Sequence, residues 1–165
     1  MIYSICNADE PLDQGDIVED CPMVTVAEHA PESLEHARLD LRRGIILTQT
    51  CDIAQMKVER LVVAAVYPTQ DLIDRKVVKP ADVKGPIRAG RVWGLDFLPA
   101  HAAAGLGEMI VDFQRLHSIP INVLDNLRQS GKRRLRLLTP YREHLAKHFA
   151  DTYSRIGLPQ PYDTL

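Results

Sequence analysis

Through the first two-thirds of the chain, hydrophobic residues come in short runs or alternate with polar ones; the last third is mixed and ends in a clear helical repeat. Gly15-Asp16-Ile17-Val18 follows the turn formers Pro11 and Asp13 and is expected to be a short strand. Residues 23–27 are a second candidate. Next, Leu34, Glu35, Ala37, Arg38 and Leu41 fit one helix face, whereas Ala37, Leu39 and Leu41 alternate with His36, Arg38, Asp40 and Arg42. The alternation runs directly into Arg43-Gly44 and the β-rich segment 45–50, so extended chain is expected. A loop or a single helical turn follows at 51–57. Leu61-Val62-Val63-Ala64-Ala65-Val66-Tyr67 is nearly all apolar and rich in β-branched residues, the pattern of a central strand buried on both faces, and Pro68 ends it.

Residues 69–90 read as an excursion from the sheet, with one or two helical turns at 79–84 before Gly85, Pro86 and Gly90 break them. Strands are expected again at 92–98 and 109–113. Pro120 is placed to open a short helix with Ile121, Leu124 and Leu127 on one face and Gly131 past its end; residues 135–138 return as a short strand or connector. A final helix is expected from about Pro140 to Ile156. Thr139 would be its N-cap, Pro140 its first residue, and Gly157 its left-handed C-terminal residue. Tyr141, Leu145, Phe149, Tyr153 and Ile156 form its apolar stripe. Together these elements predict a mainly β fold with α: a small antiparallel β-barrel with an inserted segment at about 69–90 and a C-terminal helix. It is one domain over residues 1–158, followed by a tail at 159–165.

A mass of 18.5 kDa suits one domain, and 45% hydrophobic with 25% charged residues excludes a mostly disordered chain. No apolar run approaches the roughly 18 residues a membrane span needs. The N-terminus lacks the charged start and long apolar stretch of a secretory signal, so a cytoplasmic protein without membrane contact is expected. Cys6, Cys21 and Cys51 then read as reduced thiols, and their spacing is not that of a metal site. The net charge of −2 conceals an asymmetry: residues 1–37 hold nine acids and no Lys or Arg. Between Asp125 and Glu143, Arg128, Lys132, Arg133, Arg134, Arg136 and Arg142 are met by no acid. One reading of the basic end is a phosphate-binding patch. The others are that the two ends face each other, or that the basic run is a strand edge kept charged against edge pairing.

The most concentrated polar segment beside a core strand is Thr48-Gln49-Thr50-Cys51-Asp52. Cys51 as a nucleophile would need a base, for which His117 is the candidate, with Asp52 to orient it. The structural alternative has Cys51 packing as a small apolar residue and Asp52 capping the loop. His144 and His148 stand four apart on the last helix, a spacing that can bind zinc, but no Glu or Cys set accompanies them and they are expected at the surface. Trp93 and Phe97 could stack bases, or simply pack in the core. No phosphate loop, Cys-x-x-Cys or His-Glu-x-x-His is present, and no cofactor is expected.

Four segments, in order, resemble the MazF/PemK family of toxin endoribonucleases: Gly15-Asp16-Ile17-Val18; Arg43-Gly44-Ile45-Ile46-Leu47-Thr48-Gln49; Val62-Val63-Ala64-Ala65-Val66; and Val111-Asp112-Phe113-Gln114-Arg115-Leu116. The ending Arg155-Ile156-Gly157-Leu158 is also similar to that family's terminal helix. The resemblance implies an SH3-like barrel, usually a homodimer, that cleaves single-stranded RNA without a metal and is held by an antitoxin or other partner protein. It puts the catalytic cation on Arg43 and hydroxyls on Thr69 or Thr48, with Arg115, Arg133, Arg134 and Arg136 contacting RNA. Gly44 stands where the family has proline, and Tyr67 where its small catalytic hydroxyl falls. A non-catalytic binding or assembly subunit that keeps the barrel is therefore the alternative. A hairpin of 45–50 with 61–67 would put Arg43 beside Tyr67 and Thr69, and some 25 Å from Cys51 if the strand is straight.

Overall fold

The computed structural model describes residues 1–26 and 37–154. In chain order it contains β1 (Tyr3–Cys6), β2 (Asp16–Val26), β3 (Ala37–Ile46), α1 (Thr50–Ala54), β4 (Arg60–Pro68) and α2 (Thr69–Asp74). Then come α3 (Pro80–Asp82), continued by a wider turn over Val83–Ile87, β5 (Leu95–Leu98), β6 (Met109–Pro120), α4 (Ile121–Gln129), β7 (Arg134–Leu137) and α5 (Tyr141–Tyr153). The seven strands form one antiparallel sheet in the order β1-β7-β2-β3-β4-β6-β5. Among the described residues no helix is long and apolar enough to cross a membrane.

All seven strands feed a single core, through Tyr3, Leu137, Ile17, Ile45, Ala64, Phe113 and Leu98, and Leu145 of α5 plugs it. The sheet is curled, since Tyr3 on one edge strand reaches Pro99 beside the other. It is nevertheless open: no ladder joins the edge strands β1 and β5. Instead the Tyr3 hydroxyl donates to the Pro99 carbonyl across the gap at 2.8 Å.

Several elements differ from their sequence reading. The two expected strands at 15–18 and 23–27 are one, because a bulge between Val18 and Cys21, with Asp20 at φ 51°, lets β2 bend and continue. β3 stops at Ile46 rather than at residue 50: Leu47 N–H still donates to Val62 O, but Thr50 already begins α1. β6 runs on to Pro120 through a second bulge. α5 starts at Tyr141 with Pro140, not Thr139, at the N-cap position; the Thr139 hydroxyl bonds the Glu143 carboxylate at 3.0 Å instead of capping backbone. Of its stripe, Leu145 is buried and Phe149 packs beside it, while Tyr141 and Tyr153 are 40% and 47% exposed. Residues 27–36, Ile156, Gly157 and the tail at 159–165 lie outside the described residues.

The convex face of the sheet is covered in two places. At one end α4 lays Leu124 over Val18, Ile46, Leu61, Val63 and Ile119. At the other, the excursion after β4 packs Leu72, Val78, Val83 and Ile87 over Ile110. Between them the face is floored by the directly paired Gly44 and Ala65. A Cβ on Gly44 would lie 2.5 Å from Val63 Cγ1 and 2.9 Å from Met23 Cε, so only glycine fits.

The charge asymmetry of the sequence resolves internally. Asp16, fully buried, pairs with Arg134, itself 3% exposed, and receives Arg136 Nε at 2.6 Å. Arg134 also donates to the carbonyls of Asn7, Glu10 and Pro11, tying the β1–β2 loop to β7. Lys132 pairs with Asp20, and Arg142 with Asp13. The acidic and basic ends therefore face each other.

Removing one partner of a buried ion pair strands the other, which costs about 3–5 kcal/mol. Asp16→Ala should lower the urea midpoint by that equivalent, with the unfolding slope unchanged. A second prediction concerns His148, which is not a surface histidine: its Nδ1 lies 2.9 Å from Asp96 Oδ1, joining α5 to β5. That hydrogen bond, above all, raises the imidazole pKa. A raised folded value contributes stability that is fully present below the unfolded pKa of about 6.5 and is lost as pH rises through the folded one. Between pH 6 and pH 8, wild type should lose about 1 kcal/mol relative to His148→Gln in parallel denaturant titrations.

Candidate functional site

Strand alternation places residues 38, 40 and 42 of β3 on the same convex face as 63, 65 and 67 of β4. Across the β4–β6 ladder, His117 stands opposite Val63, Asp112 opposite Ala65, and Ile110 opposite Tyr67. Ala64 pairs with Leu116 but the next residue, Ala65, pairs with Asp112, so 113–115 bulge out of β6 and bring Arg115 beside Asp112. Bulges of this kind commonly re-aim side chains at functional surfaces. Arg75 and Val77, just beyond α2, and Leu72 within it supply a wall.

The result is an open cleft of about 460 Å³. Its charged lining is Arg38, Arg42, Arg75 and Arg115 against Asp40 and Asp112, with Tyr67 and His117 between them. Asp40 is engaged locally, by Arg42 at 3.1 Å and the Thr25 hydroxyl at 3.3 Å. Arg42 lies over the Tyr67 ring, 5.8 Å from its centroid. Arg115 Nε is 3.7 Å from Asp112 Oδ2, and Asp112 Oδ1 accepts the Gln114 N–H at 2.9 Å. Arg38 and Arg75 make no ion pair among the described residues, and the described lining carries four guanidinia against two carboxylates.

Burial shifts three groups here. It pushes the Tyr67 phenol up, keeping it a hydrogen-bond donor. It raises the Asp112 carboxyl above the ordinary range, against the opposing pull of the Gln114 N–H and Arg115. It lowers the His117 imidazole, and Arg115 adds to that. Perturbed acid and base groups beside exposed guanidinia are equipped for proton transfer on an anionic substrate.

The residues singled out from the sequence are distributed differently. Arg43 points to the concave side, where Nη2 meets Glu19 Oε1 at 2.7 Å and Nη1 lies 2.7 Å from Met109 Sδ. Met109 is opposite Pro68, and Thr69 N–H donates to Glu108 O, so Arg43 and Thr69 share a corner as the hairpin implied. No reactive hydroxyl is presented there, because Thr69 is 5% exposed and its Oγ1 has no partner among the described residues. Thr48 is also committed, accepting the Val62 N–H at 2.7 Å. Cys51 is an exposed thiol on α1, within 3.6 Å of Gln49 Oε1 and 3.8 Å of Asp52 Oδ1. Neither Cys51 nor Asp52 lines the cleft that holds His117, so the Cys–His–Asp grouping is not assembled. Nor do the C-terminal arginines make a patch: Arg134 and Arg136 serve Asp16, and Arg133 meets the Ala104 carbonyl and Glu19.

Of the expected RNA contacts, Arg115 reaches the cleft, joined by Arg38, Arg42, Arg75, Asp112 and Tyr67, which sequence reasoning assigned no binding role. The alternation at 38–42 carried that signal; Arg75 came from the excursion and carried none. Among the described residues no group of three or more His, Cys, Asp or Glu is placed to hold a metal ion. No protein-family model matches the chain, and no curated protein matches it in sequence.

The Thr69 hydroxyl gives a sharp test of the corner it shares with Arg43. A buried unpaired hydroxyl costs about 1–3 kcal/mol, which an isosteric apolar group avoids. Thr69→Val should therefore leave the melting temperature unchanged or raise it by a few degrees, and leave any activity of the protein intact.

Proposed function

We propose that the protein binds single-stranded RNA in the convex cleft and cleaves it as a toxin-type endoribonuclease. The carrying observation is the cluster of Arg38, Arg42, Arg75 and Arg115 around Tyr67 on the central strands. Guanidinia bind phosphate oxygens in a bidentate geometry, and an aromatic ring among them offers a stacking surface for a base. A site built on strands holds its groups more precisely than one on loops. On this reading the curled sheet is an SH3-like barrel of the MazF/PemK kind, with its seam between β1 and β5. Its reacting centre lies at Arg115 rather than at Arg43 and Thr69. A cytoplasmic setting, a homodimer and an antitoxin over the cleft belong to the same reading.

A second reading follows from the resemblance, which puts Tyr67 where the family has its small catalytic hydroxyl. It makes the protein a binding or assembly subunit that holds RNA without cutting it.

Purified protein and mixed single-stranded RNA separate the two. Wild type should cleave, and Arg115→Ala should lower the rate by about 10²-fold. Each arginine lost from the cleft should also flatten the salt dependence of RNA binding by about 0.7 in log–log slope. Bound but intact RNA over a range of salt supports the binding subunit; absence of binding sinks both readings.

A further inference from the structure

We propose that His117 and Asp112 are the base and the acid of one phosphodiester cleavage, spanning the scissile phosphate held by Arg115. This rests on the RNA-cleaving reading and assigns its proton transfers.

The placement comes from the ladder. His117 is opposite Val63 and Asp112 opposite Ala65, two residues apart on one strand, so their side chains leave the same face about 7 Å apart. Six residues of chain would normally not allow this, since His117 and Asp112 differ by an odd number and would face opposite sides of a regular strand. The bulge at 113–115 restores them to one face and brings Arg115 into the same cleft, its Nε 3.7 Å from Asp112 Oδ2. Two groups leaving one face at neighbouring ladder positions are spaced to serve the attacking and the leaving oxygen of a single phosphodiester.

The chemistry balances without a further reactant. His117 takes the proton of a ribose 2′-hydroxyl as that oxygen forms its bond to phosphorus. The bond from phosphorus to the 5′-oxygen breaks, and that oxygen takes the proton of the Asp112 carboxyl. A 2′,3′-cyclic phosphate and a 5′-hydroxyl result, leaving imidazolium and carboxylate, which exchange protons with water. Arg115 meets the charge on the non-bridging oxygens. The burial that keeps the imidazole neutral and favours the protonated carboxyl suits these roles.

The test uses the full chain and an oligonucleotide with a single ribonucleotide, made with either oxygen or sulfur at the 5′-bridging position. A sulfur leaving group needs no proton. Asp112→Asn, which keeps the Oδ1 acceptor for the Gln114 N–H, should be slowed about 10²-fold or more on the oxygen substrate. On the sulfur substrate it should run within a few-fold of wild type. His117→Gln should be slow on both. The ratio of the two rates within one variant is independent of how much of that variant is folded. Asp112→Asn equally slow on both substrates, or slow on neither, overturns the assignment while the RNA-cleaving reading stands. So does an unimpaired His117→Gln. Wild type that cuts neither substrate overturns the reading itself, and the pair with it.

Discussion

A carboxylate with no exposed surface, Asp16, sits between two arginines of the strand beside it, and the order of the strands depends on that contact. β7 comes from the far end of the chain, yet it inserts between β1 and β2. Asp16 is directly opposite Arg136 in the ladder, and Arg134 two residues earlier reaches back to the same carboxylate. The remaining donors of Arg134 go to three carbonyls of the β1–β2 loop. One buried guanidinium thus fixes a loop, a strand and a register together. The desolvation of such a pair is offset by added hydrogen bonds, and here both terminal nitrogens of Arg134 donate twice.

This contact also decides where the protein is cationic. The basic run at 132–142 is paired with acids of the N-terminal region, so the residues that look like a phosphate-binding tract hold the fold. Outside that network a cluster of guanidinia lines the cleft on the convex face, where β3 contributes Arg38 and Arg42 and β6 and the segment after α2 add one each. The two coverings stop on either side of that face, and the cleft lies between them.

The same face carries the acid, base and aromatic groups on strands that are central to the sheet. Their positions follow from ladder register and from one bulge in β6, so they are set by the most constrained part of the backbone. The Arg43 corner, by contrast, is closed by Glu19, Met109 and a buried threonine, and reads as packing.

The sequence by itself determined the mainly β class, the central buried strand at 61–67, the hairpin that brings Arg43 towards Thr69, the helix after Pro120 and the last helix. Each of these rests on local periodicity or turn chemistry, which a linear reading can see. It also contained the charge asymmetry, but not its meaning, because whether two oppositely charged ends meet depends on strand order. Tertiary structure alone decided that Arg134 is buried, that Thr48 and Thr69 are spent on packing and backbone, and that the sheet curls without closing. It alone placed Asp112 and His117 on one face, since alternation assigns them to opposite faces and only the bulge, a long-range consequence of pairing with β4, reverses that.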